Sequence, residues 1–361
     1  MAPAEDTQRG ATPAVNARDN YLRAVRFQRP DYIPVVFAVS PACWHSYPQD
    51  WLCEQMERHP FLFPNFWAPA LPYAPIYEPI ADSRAPFTDD FGCVWKTAID
   101  GLIGTVVTHP LEDLEEYVFP DPAVCMGIGP MDWQAEQRRV QALRAANRPV
   151  ILGLRHGHTF LQLCDLMGYS NLLYAMSDED PRLERVIAGV ERFNMGIVER
   201  QLAMRPDVMT YAEDLGMQQG PMISPELFRQ YIAPSYRRLM EPARKAGVLI
   251  HMHSDGDIRT LSDELVEGGV DILNLQDLVN GIDWIAARYK GKVCIDLDID
   301  RQQVTPHGTP AQVDALVREA VEKLGSREGG LTMVFGLYPG TPMENVEALM
   351  TAMERYAFYY S

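Results

Sequence analysis

The chain has little cysteine, and none of it is spaced to work in pairs. Six cysteines (Cys43, Cys53, Cys93, Cys125, Cys164 and Cys294) are scattered over 361 residues without a CxxC. That distribution fits reduced thiols in a cytoplasmic protein and argues against a disulfide framework. No segment approaches eighteen uninterrupted apolar residues, so no membrane span is expected. No GxGxxG opens a helix after the first strand candidate, which removes the usual dinucleotide fingerprint. Positive charge is also scarce. A net charge of −17 excludes nucleic acid as an expected partner, because phosphate-backbone binding needs a cationic footprint. The stretch MAPAEDTQRGATPAVNARDN lacks the basic start and apolar block of a secretory signal. Residues 1–18 read as a flexible polar leader, and 19–361 as one domain.

What the chain does have is 47% hydrophobic residues, enough for a large core, and a rhythm. Short apolar runs alternate with longer helical stretches, and strands are expected at 33–39, 149–154, 208–212, 248–253, 271–275, 293–297 and 331–335. Ser224-Pro225-Glu226 opens a helix with an N-cap and a first-turn proline, while Thr309 and Thr341 open two more with capping boxes. Strand–helix–strand repetition implies a parallel sheet. Seven or eight such units at this length favour a closed α/β TIM (β/α)8 barrel over an open sheet. Residues 40–130 break the rhythm with an aromatic, proline-punctuated stretch (FLFPNFWAPALPYAPIYEP). It reads as an insertion over the C-terminal face of the barrel. Its aromatics, Trp95 among them, either line a pocket or merely pack.

Barrel sites form where strands end and the following loops begin. The run VLIHMHSDGDI (248–258) places ionisable groups at the end of an apolar strand, where burial costs several kcal/mol unless they are paired or bound to a metal. A period of two puts His251, His253 and Asp255 on one face. The bland alternative is one core histidine and an aspartate capping the next turn. In DVMTYAEDLGMQQG (207–220), Tyr211 and Glu213 share a face and Asp214 starts the loop. Paired carboxylates there can divide acid and base roles, or can cap and bridge. LRHGHTF (154–160) offers Arg155, His156 and His158, and NLQD (274–277) offers Asn274 and Gln276 for hydrogen bonding. Gln218 is a further candidate substrate contact. DLDIDRQ (296–302) clusters Asp296, Asp298 and Asp300, at least one of them suited to a salt bridge with Arg301.

The stretches AEDLGMQQGPMISPELFRQYIAPSYRRLMEPARKAGVLIHMHSDGDI, ELVEGGVDILNLQ, HGTPAQVDALVREAVEKL and YPGTPMENVEALMTAM resemble the uroporphyrinogen decarboxylase superfamily in order and spacing. The resemblance implies a TIM barrel and favours a homodimer. Authentic uroporphyrinogen decarboxylases carry an arginine-rich motif after the first strand, where this chain reads FAVSPACWHSY. The resemblance is therefore closer to the methyltransferase and demethylase branch, with a decarboxylase or a non-catalytic binding protein as alternatives. Thiol-methylating members bind zinc through His-x-Cys and a later Cys. Here the matching positions read His253-Ser254-Asp255 and fall near Phe335. The implied site is a harder one: His251, His253 and Asp255 around a divalent metal, zinc foremost, or acting without metal. Glu213, Asp214, His253 and Asp255 are then the catalytic candidates. Tyr211, Arg155, His156, His158, Gln218, Asn274, Gln276 and Trp95 would contact a small substrate, with methoxylated arenes among the candidates. The methyl acceptor would be a corrinoid, held by a partner protein.

Overall fold

All seven apolar runs form strands: β1 (Val35–Val39), β2 (Ile151–Gly153), β3 (Val208–Asp214), β4 (Leu249–Asp255), β5 (Ile272–Gln276), β6 (Cys294–Asp298) and β7 (Leu331–Leu337). The computed structural model describes residues 16–111 and 117–361. The strands pair in parallel, in the order β1-β7-β6-β5-β4-β3-β2, as one curled sheet of TIM-like type. Among the described residues there is no eighth stave, so the expected closed eight-stranded barrel is reduced to seven strands with β1 and β2 at the edges. The intervening residues 40–150 form instead helices Cys43–Ser46, Gln49–Arg58 and Trp133–Ala145 and a small antiparallel sheet of Phe87–Thr88, Val94–Lys96 and Thr105–Thr108. Proline cannot donate to a ladder, which disfavours a central strand in this proline-rich segment. The segment nevertheless spans the gap. Gly101 packs against the backbone of Pro41 and Ala42, just beyond β1, while the Leu111 N–H donates to Leu166 O, on the helix that follows β2.

Burial alternates along the strands. Met209, Tyr211, Ile250, Met252, Leu273, Leu275, Ile295, Leu297, Met333 and Phe335 are buried on the outer face, as expected of a sheet covered by crossover helices. The inner floor is Val208, Leu249, Ile272 and Cys294, plugged by Tyr21 and Val25 of helix Ala17–Val25. Asn16 caps that helix, and Arg18 fastens it to Asp207 through bonds of 2.9 and 2.5 Å. Most of the expected leader, residues 1–15, lies outside the described residues.

Helix Pro310–Leu324 begins with the full Thr309–Gln312 capping box. At Thr341 the expected box does not form. The helix starts at Met343 without a side-chain cap, and the Thr341 carbonyl is taken by the Tyr47 hydroxyl at 2.7 Å. β5 runs directly into Asp277, whose buried Oδ2 meets no well-aligned hydrogen-bond donor among the described residues. Burial, reinforced by the charges of Asp300 and Asp298, pushes its carboxyl up to about 8. The folded state thus keeps a proton that the unfolded chain loses near pH 4, and stability falls as pH rises from about 4 to 8. Asp277→Asn should abolish that slope. Relative to its effect near pH 4.5, we expect it to gain on the order of 4 kcal/mol at pH 8, read by urea denaturation at both pH values.

Candidate active site

The side chains facing the inside of the sheet form a ladder of polar groups above the apolar floor. His251 on β4 is bonded through Nδ1 to Thr210 Oγ1 and through Nε2 to Asp296 Oδ2, both at 2.9 Å. Thr332 donates to Asp296 Oδ1 at 2.6 Å, and Asn274 donates to Asp296 O and Oδ2 at 2.8 and 3.1 Å. Burial raises the Asp296 carboxyl, but the His251 hydrogen bond and charge outweigh it and hold it below the ordinary value. One turn of the pleat higher, Asn274 Oδ1 accepts from His253 Nδ1.

At the strand tips these groups meet a loop residue. His253 Nε2 lies 3.5 Å from Asp214 Oδ1 and 3.8 Å from Asp255 Oδ1, and His156 Nε2 lies 3.2 Å from the same Asp214 oxygen. The two imidazole rings are 5.6 Å apart. Burial opposes the charging of His253, yet the Asp214 hydrogen bond and the Asp255 charge raise it to about 9. Burial would also raise Asp214, but hydrogen bonds from His156 and His253 hold its carboxyl far below the usual range. Beside them Arg301 reaches Asp255 at 3.0 Å and Asp298 at 2.7 Å, and lies over the Tyr338 ring. Burial pushes Asp298 up to about 7, against the pull of Arg301.

The expected residues therefore divide. His253, Asp214, Asp255, His156 and Asn274 come together. His251 stands below them with both ring nitrogens engaged. Glu213 and Tyr211 share a face, but it is the outer one. Glu213 is fully buried and accepts the N–H groups of Thr159, Phe160 (3.0 Å) and Leu161 (3.2 Å) at the start of helix Phe160–Met167. Burial carries its carboxyl to about 7. Tyr211 donates to Leu239 O at 3.0 Å.

His158 lies with Glu213 and Tyr211, buried among Tyr211 and Tyr236, and burial lowers its imidazole to about 3. It parts from His156 because the chain turns at Gly157, whose φ is +75°. Arg155 is held by Asp165 at 3.2 Å, beneath the Trp95 ring, and Trp95 itself donates to Asp89 at 2.8 Å. Gln218 bonds Gln302 on the exterior, and Gln276 Oε1 receives the Gly256 N–H at 2.9 Å. Asp300 caps the helix at Val304 through four backbone N–H groups. Thr210 and Thr332 were not singled out in sequence. Only the strand register, pairing Thr210 with His251 and Asp296 with Thr332, exposes their role.

The opposite wall is apolar. Val36 and Ala38 pair with Val334 and Gly336, on the Thr332 side of β7, and Val36 is 57% exposed. Ile151 on β2 is 39% exposed. Inward-facing positions on both edge strands are thus partly open to solvent.

Fold and site together define a TIM-like α/β protein whose ionisable groups converge at the C-terminal strand ends. The chain belongs to the uroporphyrinogen decarboxylase (URO-D) family, whose model matches residues 132–356, more than half of its length. Among solved structures it is similar to a methyltransferase from Methanosarcina mazei, at 16% identity and a TM-score of 0.65, covering 96% of this chain and 99% of that one. A weaker likeness, at 11% identity and a TM-score of 0.42, is to a B12-independent methionine synthase from Shewanella sp. W3-18-1, covering 61% and 65%. No curated protein matches the chain. Among the described residues, no helix is long and apolar enough to cross a membrane.

Proposed function

We propose that the chain transfers a methyl group from a small methoxylated or methylaminated apolar substrate to an external nucleophile. The observation that carries this reading is the convergence of His156, Asp214 and His253 at the mouth of a chamber whose opposite wall is apolar. An ether oxygen is a poor leaving group, and positive charge beside it as C–O breaks stabilises the developing alkoxide. His253, with its Nδ1 held by Asn274, presents Nε2 for that purpose. In the step itself the C–O pair stays on oxygen, which takes the His253 proton. The methyl carbon bonds to the acceptor's electron pair, supplied by a corrinoid in its reduced nucleophilic form or by a thiolate. Val36, Ala38, Val334 and Gly336 would seat the apolar body of the substrate. Membership in the URO-D family and the fold shared with a methyltransferase support the reading.

A zinc site built on thiolates does not fit the residues present. Ser254 and Asp255 follow His253, Phe335 is packed on Phe37, and all six cysteines are buried. The decarboxylase alternative gains little from the chamber, since Arg155 and Arg301 already face aspartates. The test is incubation with a panel of methoxyarenes and methylamines and cob(I)alamin, following methylcobalamin by absorbance and demethylated product by mass spectrometry. Equal amounts of both are expected, and His253→Ala should lower the rate about 100-fold. Absence of transfer across the panel, or removal of carboxylates from uroporphyrinogen, would replace this reading.

A further inference from the structure

We propose that His156, Asp214 and His253 form a two-histidine, one-carboxylate site for a divalent first-row transition metal. The site shares His253 with the trio His251, His253 and Asp255 that the strand pattern suggests, but replaces its other two members. Three observations carry it.

The first is spacing. One ligand atom from each residue lies within 4.8 Å of the other two. Donors bound about 2.0–2.2 Å from a tetrahedral metal stand roughly 3.3–3.5 Å from one another. The Asp214 oxygen is 3.2 Å from one imidazole Nε2 and 3.5 Å from the other. The third edge, between the two imidazoles, lies within 4.8 Å, so the rings close on a cation by approaching each other.

The second is the tautomer of His253. Asn274 spends both its amide N–H bonds on Asp296, so its oxygen must face His253, and the Nδ1 of His253 must be the N–H that donates to it. Nε2 is thereby the nitrogen left facing Asp214, hydrogen-bonding it in the unloaded protein and able to bind a cation once its proton is displaced. A ligating histidine fixed through its other nitrogen is the arrangement that outer hydrogen bonds give to metal sites. Asn274 is held in turn by Asp296, which also holds His251 and Thr332. The two polar layers thus orient a single imidazole.

The third is charge. Asp214, Asp255 and Asp298 crowd the tip, and one guanidinium, Arg301, serves Asp255 and Asp298. Among the described residues Asp214 is hydrogen-bonded by the two imidazoles and the Asp255 N–H at 3.3 Å, and feels the Arg301 charge only at longer range. A dication at this point neutralises the carboxylate and satisfies both imidazole lone pairs. The alternative grouping of His253, Asp255 and Asp298 would have to displace Arg301. Two imidazoles and one oxygen suit zinc, iron(II), cobalt(II) or nickel(II) rather than magnesium or calcium.

This inference rests on the site of the proposed methyl transfer, where in the loaded protein the cation would take the place of the His253 proton in stabilising the leaving oxygen, and it is read without turnover. Purified full-length protein, stripped with EDTA, is titrated with Co2+ and then Zn2+, following the visible d–d absorption of Co2+ and the heat of Zn2+ binding. One equivalent of Co2+ giving intense bands of low coordination number, displaced by Zn2+, is expected. His156→Gln, Asp214→Asn and His253→Gln should each weaken binding by at least about 10-fold, while Asp255→Asn should leave metal affinity within about 3-fold. Circular dichroism confirms that each variant is folded. Wild-type protein that is folded and binds no stoichiometric Co2+ overturns the proposal. So does a loss of affinity that follows Asp255→Asn or His251→Gln while His156→Gln binds normally. Metal binding without methyl transfer would leave this site standing and discard the proposed reaction; transfer without metal binding would do the reverse.

Discussion

Gly256→Ala is expected to destabilise the protein by about 3 to 5 kcal/mol and to lower any turnover more than 10-fold. Gly256 follows Asp255 at the tip of β4, with φ at +81°, and a Cβ there would stand 2.1 Å from the carbonyl carbon of Gly216. Gly216, just past β3, is equally close, since its own Cβ would lie 2.5 Å from the Gly256 carbonyl carbon. Two backbones therefore touch where the strands carrying Asp214 and Asp255 end. A side chain at either position must push those strands apart, and the spacing between Asp214 and His253 depends on their contact. Gly247→Ala is the control. It shares a positive φ of +70° but has open space around it, so it should cost only about 1 to 2 kcal/mol and leave the chamber intact. Urea denaturation of both variants separates backbone strain from steric collision. Equal, small losses would show that the Gly216–Gly256 contact yields easily.

Glu213→Ala is expected to cost about 3 to 5 kcal/mol for a different reason. Its carboxylate is the acceptor for three backbone N–H groups opening the helix that follows β2. Methyl in its place leaves those donors buried without partners, next to the buried Tyr236 hydroxyl and His158 ring. Glu213→Gln keeps an acceptor oxygen and the side-chain volume, so it should fold within about 1 to 2 kcal/mol of the parent. If Glu213 acts only as this clamp, methyl transfer by Glu213→Gln remains within a few-fold of wild type. A drop of 100-fold or more in a fully folded Glu213→Gln protein would return Glu213 to the chemistry.

Parity is where reading from sequence succeeded on one strand and stopped on its neighbour. On β4, the face of His251, His253 and Asp255 announced itself, because the intervening Ile250, Met252 and Ser254 suit a packed helix layer. On β3, VMTYAED offers Val208, Thr210, Ala212 and Asp214 on one face and Met209, Tyr211 and Glu213 on the other. Both faces mix apolar and polar residues, so the chain alone does not say which looks inward. The structure turns Glu213 outward because a helix N-terminus behind the sheet needs an acceptor. Asp214 turns inward, where His156 and His253 supply the compensating partners.

The order of elements, the parallel sheet and the convergence of polar groups at strand ends were written in hydrophobic periodicity, which is a local property of the chain. Which histidine would be free was not local. His251 and His253 differ by one pleat, yet Thr210 and Asp296 consume the first while Asn274 aims the second at Asp214. Those partners come from β3, β5 and β6, strands brought into register only when the sheet curls. Hydrogen-bond satisfaction is settled by neighbours in space, and so the identity of the open nitrogen belonged to the tertiary structure.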